Sequence, residues 1–361
     1  MPHWLIEVGC ALIAAGLMIF GMASGAFGQA LLPPPPNVFS TIAPNGDVNP
    51  YGIAIVPQHV AAGLTLQHDD VLVTDFNNAA NLPGTGTTIL HMDRSGHSSV
   101  FFQGPQSGSG LTAALGIVNR GFVFVGSLPT ADGTSNTARA GSLLIVDGNG
   151  NLVGQYANSY IDGPWGMTIY DLGNVAHVFV SNVLNGTITR LDVAFPVGAA
   201  PVIRKATQIG SGFNHRTDPA VLAVGPSGLA FDAKNDVLYV ASSVDNAVYT
   251  LTGALTATAS LGSGQLVYQD LTHLHGPTQM TFAPNGDLLV ANSDGSNLDQ
   301  NQPSEIVEFT PAGQFVAQFS VDANNGGAFG VAVEKVGTRA VRILTVDDNQ
   351  NTLTAWTEIL P

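Results

Sequence analysis

Pro50-Tyr51-Gly52-Ile53, Ala114-Leu115-Gly116-Ile117, Pro164-Trp165-Gly166-Met167, Pro226-Ser227-Gly228-Leu229, Pro277-Thr278-Gln279-Met280 and Ala328-Phe329-Gly330-Val331 read as six copies of one short motif. Their third positions step by 64, 50, 62, 51 and 51 residues. Each copy opens a strand-forming run such as Gly52-Ile53-Ala54-Ile55-Val56, closed by turn residues such as Pro284-Asn285-Gly286-Asp287. A period near 50 carrying β-type sequence means that each unit is one small sheet, unable to bury its own faces and obliged to pack on its neighbours. The expected fold is an all-β, six-bladed β-propeller with four-stranded antiparallel blades.

Within each period the second strand is apolar on both faces, as in Val71-Leu72-Val73, Phe122-Val123-Phe124-Val125 and Leu288-Leu289-Val290, which suits strands packed between neighbouring blades. An Asn- and Asp-rich loop follows, then a third strand such as Thr187-Ile188-Thr189-Arg190-Leu191. After Gly330 the chain supplies only three strands, near 330–335, 340–346 and 352–359, while Val38-Phe39-Ser40-Thr41-Ile42 stands spare ahead of the first motif. The N-terminal strand is therefore expected to complete the last blade and remove the open edges of the ring.

Charged residues make up only 10% of the 361-residue chain against 45% hydrophobic, so asparagine, glutamine, serine and threonine must wet the surface. The net charge of −15 repels phosphate backbones and makes nucleic acid an unsuitable partner. Five Glu against 21 Asp fits a chain of loops and strands rather than helices. The expected state is a monomer that meets a small polar ligand or a protein.

An apolar run from Val8 to Ala23 precedes Pro33-Pro34-Pro35-Pro36. Sixteen residues fall short of the roughly 20 needed to span a bilayer, and Gly28-Gln29-Ala30 and Ser24-Gly25-Ala26 both fit the small-x-small rule for signal cleavage. The reading is a signal peptide over 1–30 cut after Ala30 or Ala26, a Pro-rich linker over 31–37, and a propeller over 38–361, secreted or periplasmic. A retained membrane anchor is the alternative. Cys10 is the only cysteine and leaves with the signal.

Val178-Phe179-Val180-Ser181-Asn182-Val183-Leu184-Asn185-Gly186-Thr187-Ile188 and Leu238-Tyr239-Val240-Ala241-Ser242-Ser243-Val244-Asp245-Asn246-Ala247-Val248 resemble the second-to-third-strand core of NHL repeats, and the Pro164-Trp165-Gly166 opening is similar to their start. The resemblance covers roughly residues 38–361 and implies a six-bladed ring. Such propellers include binding scaffolds, lyases and relatives of calcium-dependent lactonases. The lactonases take as metal ligands a Glu before Gly-Pro, an Asn before Gly and the Asp of Pro-Asp-Gly. Here Asp162, Val224 and His275 stand before Gly-Pro, and Ser227 stands where that Asp is required.

Loops leading into first strands and loops joining second to third strands share one face of a propeller. Asn49, Asp162 and His275 precede the opening Pro or Gly-Pro of three blades, so they are expected to converge at the channel mouth. Asp75, Asn182, Asn292 and Asp347 lead a second ring of oxygen-bearing side chains. Such oxygens with one imidazole suit a polar ligand, or Ca2+ or another divalent cation held by Asp162, His275 and Asn49. The competing reading makes these residues turn formers that cap their own backbone. Long loops at 75–87, 127–141 and 292–304 rise on the same face. Function divides into a binding scaffold, a metal-dependent hydrolase or lyase of lactonase type, and a structural envelope or matrix component.

Overall fold

Six four-stranded antiparallel sheets follow one another along the chain. The computed structural model describes residues 37–105, 109–293, 304–338 and 340–359. The expected signal over 1–30, most of the linker, and most of the 292–304 loop lie outside them. Strand β1 (Asn37–Ser40) precedes sheet one, which is β2 (Val48–Ile55), β3 (Val71–Asn77), β4 (Thr88–Met92) and β5 (Ser98–Gln103). Sheet two is β6 (Leu111–Ile117), β7 (Val123–Ser127), β8 (Ser142–Val146) and β9 (Leu152–Tyr156). Sheet three is β10 (Pro164–Asp171), β11 (Val175–Asn182), β12 (Thr187–Ala194) and β13 (Val202–Gly210). A two-stranded hairpin, β14 (Arg216–Asp218) and β15 (Leu222–Val224), comes next.

Sheet four is β16 (Pro226–Asp232), β17 (Val237–Ser242), β18 (Ala247–Thr252) and β19 (Gln265–Gln269). Sheet five is β20 (Pro277–Phe282), β21 (Leu288–Asn292), β22 (Glu305–Phe309) and β23 (Phe315–Ser320). Sheet six is β24 (Ala328–Val336), β25 (Ala340–Asp347), β26 (Thr352–Ile359) and, on its outside, β1. Among the described residues no helix is long and apolar enough to cross a membrane.

Apolar clusters glue neighbouring sheets face to face. Leu72 and Ile89 of sheet one pack with Leu115, Val123 and Val125 of sheet two. Phe179 and Ile188 of sheet three pack with Leu229, Leu238 and Val240 of sheet four. These second-strand residues lie against a neighbour on both sides, which is why their runs lack polar alternation.

Nearer the axis the sheets are joined by hydroxyl clasps. Thr74 Oγ1 donates to the Thr112 carbonyl (2.9 Å), Thr112 Oγ1 to Pro164 O (2.7 Å), Ser181 Oγ to Ser227 O (2.6 Å), Ser227 Oγ to Pro277 O (2.6 Å) and Thr278 Oγ1 to Phe329 O (2.6 Å). Each bond runs from one sheet to the next. Gln279 Nε2, at the one motif position that departs from glycine, donates to Ile53 O in sheet one (3.1 Å).

The register corrects one alignment. Ile53 pairs with Val73, Met167 with Val180, Leu229 with Val240 and Met280 with Val290. In sheet two it is Leu115, not Ile117, that pairs with the matching Val125. The second motif copy is therefore two residues out of step with the others, and the bulge in β6 from Leu111 to Leu115 is one residue longer than those from Pro50 to Ile53 and from Pro226 to Leu229.

Strand β1 pairs antiparallel with β26, from Asn37 opposite Ala355 to Ser40 opposite Thr352. Phe39 packs against the core cluster shared by sheets one and six. If this pairing closes the ring, a chain lacking residues 31–43 is expected to melt well below the intact chain; equal melting temperatures would dismiss the closure. For the clasps, Thr278→Val keeps the volume but leaves the buried Phe329 carbonyl without its donor, so denaturant unfolding is expected to show a loss of about 1–3 kcal/mol.

Candidate functional site

The residue before the opening proline decides which side chains reach the mouth. Asn49, Gly163 and Gly276 occupy equivalent places and share left-handed backbone, at φ 67°, 68° and 67°. Glycine adopts this conformation freely and asparagine tolerates it. Asn49 is thus the counterpart of Gly163 and Gly276, and Asp162 and His275 sit one residue earlier, on a different side of the loop. Asn49 lines the mouth cavity, and neither Asp162 nor His275 does.

Asp162 instead shares its surroundings with Asn185 and His215, and burial raises its carboxyl against their pull. His275 is buried with Nε2 3.3 Å from the Thr272 carbonyl. Asn182 is fully buried: its amide donates to Tyr160 O (3.1 Å) and to the hydroxyls of Thr187 and Thr189, while its Oδ1 accepts the Asp162 N–H. Asn292 donates to His273 O and to Glu305 Oε1. These two asparagines pin the loop that leads into their own sheet. Asp347 accepts the amides of Asn349 and Gln350. Asp75 is fully buried with neither carboxyl oxygen hydrogen-bonded.

The mouth itself is aromatic. A cavity of about 220 Å³ is lined by Asn49, Tyr51, Pro83, Trp165, Phe329 and Asp348, among others. Tyr51 lies between Phe329 and Phe76, stacked at centroid distances of 3.6 and 4.6 Å, and Trp165 stands edge-on to all three rings. Each such pair adds about 0.5–1.5 kcal/mol beyond burial, so these rings form a stiff wall. The β14–β15 hairpin covers the other side, with Ala220, Val221, Ala223 and Val224 facing the cavity. Leu222, buried in the same core cluster as Trp165, holds φ at 69°. That conformation costs a bulky residue about 1–3 kcal/mol, and the burial of Leu222 and Ala223 beside the rings holds it.

Asp348 is the acid of this cavity. Its Oδ1 is withdrawn from solvent and has no hydrogen-bond partner. Burial, then the neighbouring Asp347, raises its carboxyl well above the usual range. Asp347 is raised to about 6 by burial and by Asp322. A second, more open hollow of about 530 Å³ shares Asn49 and Asp348 and adds Asn81, Asn349 and Asn351. Among the described residues no group of three or more His, Cys, Asp and Glu is arranged to hold a metal ion.

Sequence reasoning missed the aromatic wall and the hairpin, and placed Asp348 with Asp347 in the second ring without setting it apart. The signals were present. Tyr51, Trp165 and Phe329 are the second residues of three motif copies, and the 62-residue step from Gly166 to Gly228 contains the hairpin.

No protein-family model matches this sequence, and a search of curated proteins finds no match. Solved structures do match. A protein inferred to be a gluconolactonase aligns with TM-score 0.53 at 11% identity, over 94% of this chain and 97% of its own. A gluconolactonase from Xanthomonas campestris aligns with TM-score 0.52 at 11% identity, over 90% and 89%. Regucalcin, a calcium-binding protein from Agrobacterium tumefaciens, aligns with TM-score 0.51 at 10% identity, over 88% and 92%. The chain is a six-bladed β-propeller. At these identities the likeness speaks for the fold alone.

Asp347 gives the site a pH signature. Its carboxyl ionises near 6 in the folded chain against an ordinary 3.8. The unfolded chain therefore loses this proton first, and the contribution of Asp347 to stability is complete below about pH 4 and lost as pH rises through 6. Asp347→Asn removes that loss. The melting temperature of the variant relative to the parent is expected to rise between pH 4 and pH 6.5; a constant difference would contradict the assignment.

Proposed function

We propose that this chain is an exported propeller that binds a neutral, ring-sized polar ligand at its channel mouth. The observation that carries the reading is the cavity of about 220 Å³ walled by Tyr51, Trp165 and Phe329, with the Asp348 carboxyl and the Asn49 amide at its edge. Its volume exceeds the roughly 150 Å³ that holds benzene and falls below the 300–1,000 Å³ of drug-sized sites. Flat walls stack on one face of a ring, and a carboxyl whose ionisation is opposed by burial can donate as well as accept a hydrogen bond. The sequence from Val8 to Ala30 supports export, and the propeller begins at residue 38 on this reading.

A hydrolase is the second reading, favoured by one observation. Asp347 and Asp348 are neighbouring carboxyls, both held above the ordinary range, and Asp348 lines the cavity. Such a pair suits proton transfer near neutral pH, and a lactone ring of the kind named for two of the similar structures matches the cavity in size. A divalent cation on Asn49, Asp162 and His275 does not suit the geometry, because Asp162 turns to Asn185 and His215 and His275 to Thr272.

Trp165 emission reports the cavity directly. Titration with glucono-δ-lactone and with phenol is expected to change it saturably, with Trp165→Phe as the blank and Asp348→Ala weakening binding about tenfold, the worth of one hydrogen bond. If neither compound perturbs Trp165, the binding reading fails. Lactone opening above the uncatalysed rate that disappears in Asp348→Ala would make the protein a hydrolase.

A further inference from the structure

The position opposite the opening proline or alanine recurs as Asp75 in sheet one, Asn182 in sheet three, Asn292 in sheet five and Asp347 in sheet six. In sheets three and five an amide nitrogen fills it and donates to the carbonyl of the lead-in loop, at Tyr160 or His273. There the amide nitrogen meets carbonyl acceptors, and in sheet three the amide oxygen in turn accepts the Asp162 N–H. Sheet one puts a carboxyl there.

Asp75 is fully buried, and neither of its oxygens has a hydrogen-bond partner. In sheet three the Asn182 amide donates to the hydroxyls of Thr187 and Thr189 at the start of the third strand. At the matching start in sheet one, the Thr87 amide and the hydroxyls of Thr87 and Thr88 all donate to Oδ2 of Asp47 instead, at 2.8–2.9 Å. Asp47 is itself buried and close enough to oppose ionisation of Asp75. Asn77, two residues along the same face of β3, has a buried Oδ1 without a partner, and so has the hydroxyl of Thr41 on the segment leading from β1 toward Asp47. Among the described residues no Lys, Arg or His forms an ion pair with Asp47 or Asp75. A buried carboxyl with both oxygens unpartnered, beside a second buried carboxyl and two further orphaned oxygens, calls for a positive charge.

We propose that Asp75 and Asp47, with the side-chain oxygens of Asn77 and Thr41, hold one calcium ion beneath the mouth of sheet one, tying the lead-in loop to β3. The donor set is all oxygen, which disfavours zinc and copper. With only two carboxylates it must be completed by amide, hydroxyl, backbone and water oxygens, a mixture that calcium accepts in flexible geometry and magnesium does not. The site differs from the mouth cavity, which Asp75 does not line, and it stands whether or not that cavity binds a ligand.

The test uses the full chain, stripped with chelator and dialysed. Calorimetric titration with CaCl2 is expected to give one site, and calcium at 100 times its dissociation constant to raise the melting temperature by roughly 3–6 °C, with magnesium far less effective. Asp75→Asn supplies the donor that Asn182 and Asn292 provide. It is expected to fold, to melt no lower than the stripped parent, and to lose the calcium response. Asp47→Asn is expected to lose it as well, and Asp348→Asn at the mouth to keep it. Absence of calcium binding by the parent would overturn the proposal and leave Asp75 as a buried acid that carries a proton. A response kept by Asp75→Asn, or lost only in Asp348→Asn, would place the ion elsewhere and overturn it equally.

Discussion

A hydroxyl in one sheet donating to a backbone carbonyl of the next is the contact on which the ring depends. The carbonyls concerned belong to first strands beside the axis, where antiparallel pairing satisfies each strand on one side only. An unpaired buried carbonyl costs about 1–3 kcal/mol. Thr74, Thr112, Ser181, Ser227 and Thr278 meet this demand from sheet to sheet. Two of them also accept the amide of the motif glycine, Thr74 from Gly52 (2.8 Å) and Ser181 from Gly166 (2.9 Å), so one side chain fixes its own sheet and its neighbour together.

The same contact sets the glycines. A Cβ at Gly166 would collide with the Ser227 carbonyl, and one at Gly228 with that of Thr278. Glycine there permits the close approach that the clasps need. The exception has its own reason: Gln279 replaces glycine and reaches past Gly330, which lacks a side chain to obstruct it, to bond Ile53 O. Sheet five is thereby joined directly to sheet one across the inner strand of sheet six.

Drawn together in this way, the first strands leave a narrow axis, and the large second residues of the motifs fill its end. Tyr51, Trp165 and Phe329 stack there with Phe76, and the β14–β15 hairpin packs Leu222 and Ala223 against them. A mouth built from rings presents flat apolar faces. Polar chemistry is left to its margin, at Asn49 and Asp348, and to the buried acids of sheet one.

The repeat period, the two-faced apolar second strands and the spare strand before the first motif were enough, from sequence, for six four-stranded sheets. These features are local and periodic, and each sheet can bury its faces in only one way. The sequence also indicated which loops share a face. It did not determine which side chains turn inward. Asn49 looked equivalent to Asp162 and His275, yet a shared left-handed φ makes it the partner of Gly163 and Gly276, and backbone conformation is invisible in residue type when asparagine and glycine both adopt it. Asp75 and Asn182 looked alike as oxygen-bearing turn residues. Only the tertiary structure separates them, because the Asn182 amide donates to the hydroxyls of Thr187 and Thr189, whereas in sheet one the hydroxyls of Thr87 and Thr88 donate to Asp47, a residue 28 positions away in sequence from Asp75.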